Sequence, residues 1–173
     1  MAEHGAVGRA VLLDFARFLG VESVDHGHSF DLEDVLACAE AQGTAIRPHD
    51  ILVFRTNYLQ RFYDEGAEFW TRYDEPGLRY SPALVDWFHR MEIPNLVSDT
   101  IGNEPTIHPE HGTALVLHSA LMRNLGVAFT EIALLEDLAA HLAETGRSSF
   151  FYVAAPLKIP EASGAPVDPI AIT

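Results

Sequence analysis

Short apolar runs alternate with stretches of helical spacing along this chain, and that alternation predicts an α/β domain. Val11, Leu12 and Leu13, with Phe15 close behind, read as a buried strand near the start. Asp31 caps a helix in which Leu32, Val35, Leu36 and Ala39 recur on one face and which Gly43 ends. A second buried strand covers residues 51–54. Residues 57–78 are aromatic and acidic with weak periodicity, which suits a helix and a loop able to fold over a site. Ser81 as cap and Pro82 in the first turn open a helix with Leu84, Phe88 and Met91 on one face. "PNLVSDTIGNEP" gives a short strand that ends in a polar turn at Ser98, Asp99 and Thr100. A helix is expected over residues 113–125, stopped by Gly126, and another carries Leu134, Leu135, Leu138 and Leu142. "SSFFYVAAPLKI" is a further strand, and a Pro/Gly loop leads to a last extended piece. No linker or repeat divides the chain, so residues 1–173 are expected to form a single domain.

Composition narrows the function classes. The 173 residues carry 11 basic against 25 acidic side chains, a formal charge of −14. Such a surface repels phosphate backbones and anionic lipid, so no nucleic-acid partner and no membrane association are expected. No apolar stretch reaches membrane-spanning length and the first residues do not form a signal peptide, which makes a cytoplasmic location the default. Cys38 is the single cysteine. It lies in a helical run, where a small buried side chain is expected.

The candidate chemistry concentrates in "HPEHGTALVLHSALMRNLGVAFTE", residues 108–131. Leu121, Met122 and Leu125 follow His118 at three, four and seven positions, so His118 points inward from its helix. An inward imidazole requires a partner, either a backbone carbonyl or a metal ion. Glu131, flanked by apolar residues beyond the Gly126 turn, also reads as inward. Carboxylates enter such surroundings with a cation, a metal or a hydrogen-bond network. A histidine and a glutamate on either side of one turn could share zinc or manganese, though at least one further ligand is needed. His108 and His111 sit among turn residues and are expected in a solvated loop. His26 and His28 in "DHGHSFD" likewise read as surface loop. Asp99 ends a strand, where it either caps the next turn or serves as a functional, substrate-binding group. Tyr58, Phe62, Trp70 and Trp87 either pack or line an aromatic pocket.

"GRAVLLDFAR", "IRPHDILVFRT", "YSPALVDWFHRMEIPNLVSDT", "LHSALMRNLGVAFTEIALLEDLA" and "FFYVAAPLKIPEASGAPVDPIAI" occur in that order. Together they resemble the cyclase family of metal-dependent hydrolases, which includes bacterial kynurenine formamidase and isatin hydrolase. The resemblance spans essentially the whole chain, and "PLK" followed by "GAPVDPIAI" is its most specific part. It implies an α/β fold with a mixed central sheet and flanking helices, of the swivelling β/β/α kind. It also implies a divalent metal, zinc or manganese and often a pair of ions, with hydrolysis of amide-type bonds by metal-activated water. The family's late histidine and glutamate ligands map onto His118 and Glu131.

The principal family motif, His-x-Gly-Thr-His-x-Asp-x-Pro-x-His, lies N-terminal to the segment matching "GRAVLLDFAR". This sequence does not contain it. "HGTALVLH" only echoes it, since Ala114 stands where the second histidine belongs. The chain is therefore expected to represent the C-terminal portion of the family domain, with an incomplete ligand set, weak metal binding and little or no activity alone. The rival expectation is a folded, non-catalytic remnant or assembly partner. A small-molecule substrate and a homo-oligomer, dimer or tetramer, complete what the resemblance implies.

Overall fold

The computed structural model describes residues 3–72, 74–108, 110 and 112–173, apart from the side chains of Trp70 and Arg72. A six-stranded sheet organises it, in the spatial order β6-β5-β3-β1-β7-β8. β1 (Ala6–Asp14), β3 (Ile51–Arg55), β5 (Asn95–Ser98) and β6 (Ala128–Thr130) run parallel. β7 (Ser149–Ala154) pairs antiparallel with β1, and β8 (Ile170–Ile172) antiparallel with β7. The sheet is thus mixed, as expected. β2 (Ser29–Phe30) and β4 (Gly77–Leu78) form a separate parallel pair.

Local chemistry sets the helices. In α2 (Leu32–Ala41) the Asp31 carboxylate accepts from the backbone of Glu33 and Asp34, and Asp34 reaches back to the Asp31 amide, a full capping box. In α4 (Pro82–Met91) the Ser81 hydroxyl accepts from the Leu84 amide at 3.1 Å. Replacing Ser81 with alanine is expected to cost about 1 kcal/mol in urea unfolding, with the m-value unchanged. The short α1 (Phe15–Leu19) follows β1 directly, and α3 (Tyr58–Glu65) continues into a 3₁₀ turn over Gly66–Arg72. α5 (Glu136–Thr145) ends on Gly146 in the left-handed conformation.

Two apolar layers result. One face of β1, β3 and β5 packs Val11, Leu13, Leu52, Phe54 and Leu96 against α1, α2, α4 and Leu117 and Leu121. The other face packs Leu12, Val53, Phe150 and Tyr152 against Leu135, Ala139 and Leu142, on and just before α5. Cys38 is buried in the first layer, and its thiol is pushed up to about 12, first by burial and then by Asp14, so it is an inert core residue. Tyr58 and Trp87 are buried too.

Several expectations need correction. The chain is helical only from Val116, and residues 118–123 form a π-helical turn, not the middle of a regular α-helix. The Asn124 amide bonds the Ser119 carbonyl, five residues back. This wider turn breaks the i, i+4 stacking, so Leu121 is buried while Met122 is 40% exposed. The strand β6 lies in "VAFTE", where only a turn and an inward glutamate were expected. Leu36 and Leu134, placed in apolar helical patterns, are exposed, and Leu134 and Leu135 precede α5. Among the described residues, no helix is long and apolar enough to cross a membrane.

Candidate functional site

The parallel strands β3, β5 and β6 end together, and α/β sheets place ligands at such carboxyl ends. From β5 the chain enters the turn Ser98, Asp99, Thr100, Ile101, Gly102, Asn103 and Glu104, of which only Ile101 is exposed. Glu75, fully buried, accepts from the amides of Ile101 at 2.6 Å and Gly102 at 2.5 Å. The Thr100 hydroxyl bonds Ser98 and accepts from the Asn103 amide. The segment after β6 is clipped to the same turn. The Ile132 amide bonds the Thr100 carbonyl at 3.0 Å, and that of Ala133 the Ser98 carbonyl at 2.9 Å. Asn103 and Ile132 both hold positive φ, +58° each, in a region costly for a β-branched residue.

This turn brings together the two residues singled out in the sequence. His118 opens the π-helical turn, with its side chain 24% exposed. Its Nδ1 lies 2.8 Å from Glu104 Oε1 and its Nε2 3.4 Å from Glu131 Oε1. The partner of the inward histidine is therefore a carboxylate, not a backbone carbonyl. Glu104 also accepts from the amides of Leu117 at 2.8 Å and His118 at 3.1 Å, and Phe129 stacks edge-on against the imidazole. The hydrogen bond to Glu104, and next that to Glu131, raise the imidazolium to about 9. Positive charge is thus held between two carboxylates.

That arrangement suits a divalent ion. Ligand bonds of about 2.0–2.1 Å at tetrahedral angles separate a nitrogen and an oxygen by about 3.4 Å. This matches the His118–Glu131 distance of 3.4 Å. Nδ1 is committed to Glu104, which leaves Nε2 as the coordinating atom. Asn103 is buried beside them, with Nδ2 3.4 Å from Glu131 Oε1 and with an Oδ1 that has no hydrogen-bond partner. Among the described residues, however, no three histidine, cysteine, aspartate or glutamate side chains gather in a metal-holding geometry. His118 and Glu131 fit one side of such a centre.

The other sequence candidates fall elsewhere. Asp99 is buried and both its oxygens accept from the Thr56 amide at 3.0 Å, with Oδ1 also 2.8 Å from the Thr56 hydroxyl. It ties β3 to β5. His108 is buried beside Tyr80, not solvated as expected, although Glu110 and Gly112 close to it are exposed; its Nδ1 accepts from the Glu110 amide. His111 and the side chain of Trp70 lie outside the described residues. His26 and His28 remain a surface loop, with His26 Nδ1 3.0 Å from the Tyr58 hydroxyl. The sequence reading passed over Asn103 and Glu104. No local signal marked them, since a polar turn reads as solvated in the sequence.

Comparison with known proteins agrees with this fold. Residues 1–105 match the family model described as "Putative cyclase". Among solved structures, the chain is similar to a novel cyclase at 36% identity and a TM-score of 0.85, over 96% of this chain and 54% of that one. Isatin hydrolase A from Labrenzia aggregata, bound to benzyl benzoate, matches at 21% identity and a TM-score of 0.67, over 100% of this chain and 63% of that one. A "predicted metal-dependent hydrolase" from Bacillus stearothermophilus matches at 18% identity and a TM-score of 0.60, over 95% and 63%. The last two show the fold alone. No curated protein matches the chain. The chain spans about half the length of the novel cyclase and less than two thirds of the other two.

Proposed function

The chain belongs to the cyclase family, and from that membership we propose that it contributes one side of the metal centre of a hydrolase acting on amide-type bonds. The single observation that carries this reading is the pairing of His118 Nε2 with Glu131 Oε1 at ligand spacing, with Nδ1 already held by Glu104. A bound zinc or manganese ion would supply Lewis acidity toward a carbonyl and an activated water. The residues of this chain bind and orient: His118 offers Nε2, Glu131 its carboxylate, and the buried turn after β5 excludes water behind them. The substrate class is a small aryl amide of the arylformamidase type, as handled by kynurenine formamidase-like enzymes. Such a centre needs at least three ligands, of which His118 and Glu131 are two.

A second reading, a folded assembly partner without catalysis, draws on a different feature. Val7, Phe151, Ile170 and Ile172 are each about half exposed, and strand register places them with Val153 at the β7–β8 edge of the sheet face whose centre packs under α1, α2 and α4. Such an edge supports assembly, and a homo-oligomer is the form we propose. Calorimetric titration of the chain with zinc and manganese separates the readings. Metal binding that weakens at least tenfold in His118→Ala and Glu131→Gln supports the metal centre; binding indifferent to both substitutions, or none, favours the assembly partner. Protons compete for Nε2 up to about pH 9, so metal affinity is expected to rise about tenfold per pH unit between pH 6.5 and 9. A flat profile over that range would show that His118 does not hold its proton up to about pH 9.

A further inference from the structure

Two adjacent residues of the turn after β5 each hold one of the two proposed ligands. Asn103 Nδ2 reaches Glu131 Oε1, and Glu104 Oε1 reaches His118 Nδ1. Neither contact is incidental to a mobile surface. Asn103 is 1% and Glu104 3% exposed, and their backbone is fastened from three sides. Glu75 holds the amides of Ile101 and Gly102, the Leu78 amide bonds the Asn103 carbonyl at 2.9 Å, and β6 leads into the Ile132 and Ala133 bonds described above. Carboxylates behind metal-bound histidines fix the ring's orientation and tautomer and raise its basicity.

We propose that Glu104 is the positioning residue of this site: it holds the His118 ring by Nδ1 so that Nε2 faces Glu131, while Asn103 steadies the Glu131 carboxylate. The proposal rests on the reading of His118 and Glu131 as ligands only for its consequence on metal affinity; the ring orientation stands on the contacts alone. Glu104 presents two acceptor oxygens to three donors, the amides of Leu117 and His118 and the ring Nδ1–H. Glutamine at this position keeps one acceptor oxygen and adds two N–H donors, so it cannot serve all three. Oε1 takes both the His118 amide and the ring, and an uncharged amide oxygen in its place is a weaker acceptor than the carboxylate, so the hold on the ring loosens.

The test uses the full chain labelled with ¹⁵N-histidine. In the wild type a downfield, slowly exchanging His118 Nδ1–H resonance is expected with and without zinc. In Glu104→Gln that resonance is expected to broaden into solvent exchange, and zinc affinity to fall about tenfold. Glu104→Asp, which keeps two acceptor oxygens on a shorter arm, is expected to restore part of the protection. A Glu104→Gln protein that is less stable to heat yet retains the protected Nδ1–H would make Glu104 a framework residue only and overturn the proposal. If the wild type binds no zinc, the metal reading fails, while the resonance still decides whether Glu104 orients the ring.

Discussion

Asp99→Ala is expected to lower the unfolding free energy by about 3 kcal/mol at pH 7, measured by urea denaturation. The carboxylate is the acceptor for the Thr56 amide and hydroxyl, and both residues are 2% exposed. Alanine leaves two buried donors at the end of β3 without a partner, and each such orphan costs about 1–3 kcal/mol. The loss is partly offset because a buried carboxylate is itself uncomfortable: burial, against the opposing hydrogen bonds from Thr56, pushes the Asp99 carboxyl up to about 6 from its ordinary 3.8. Asp99→Asn keeps an acceptor and removes the charge, so it is expected to cost about 1 kcal/mol or less.

The same pair of variants has a pH signature. The folded state holds the Asp99 proton more tightly than the unfolded chain does. Its contribution is therefore fully present below pH 3.8 and is lost as pH rises through about 6. Wild-type stability carries this downward slope between those values, and Asp99→Asn removes it. An unchanged slope in the asparagine variant would mean that Asp99 is not the group that titrates there.

The strands and helix caps could be read from the sequence because each depends on residues close together. Val11, Leu12 and Leu13 form a continuous apolar run whatever surrounds them, and Asp31 and Ser81 make their capping bonds within three residues. The π-helical turn is different. Residues 113–125 carry acceptable helical spacing, but the helix starts only at Val116, where a carboxylate 14 positions before His118 takes the His118 amide and its ring. β6 was missed for a related reason, since three residues beside a glycine turn become a strand only through pairing with β5. His118 and Glu131 were visible as polar residues among apolar ones. Glu104 was not, because a glutamate in a polar turn looks solvated until tertiary contacts bury it. Asp99 illustrates the converse: its strand-end position leaves a turn cap and a substrate-binding role both open in the sequence, and in the fold its oxygens accept from Thr56.

Gly77→Ala is expected to cost about 2–3 kcal/mol and to disturb the site without touching any of its side chains. Gly77 lies in β4, and a Cβ there would stand 2.5 Å from the Cα and amide nitrogen of Glu104 and 2.7 Å from the Asn103 carbonyl carbon. These are backbone atoms, so no side-chain rotation relieves the clash, and overpacking of this kind typically costs about 1–3 kcal/mol. The Asn103–Glu104 peptide cannot retreat freely either, since the Leu78 amide holds the Asn103 carbonyl and Glu75 holds the amides of Ile101 and Gly102 just before it. The displacement must pass to Glu104, and through its oxygen to His118. Thermal unfolding should therefore show lowered stability together with a shifted His118 ring resonance. Gly164→Ala is the control: nothing lies within 4 Å of its added Cβ, and it should leave both measurements unchanged. Lowered stability with an unmoved His118 resonance would show that the turn yields elsewhere, and that β4 supports the fold but not the orientation of the histidine.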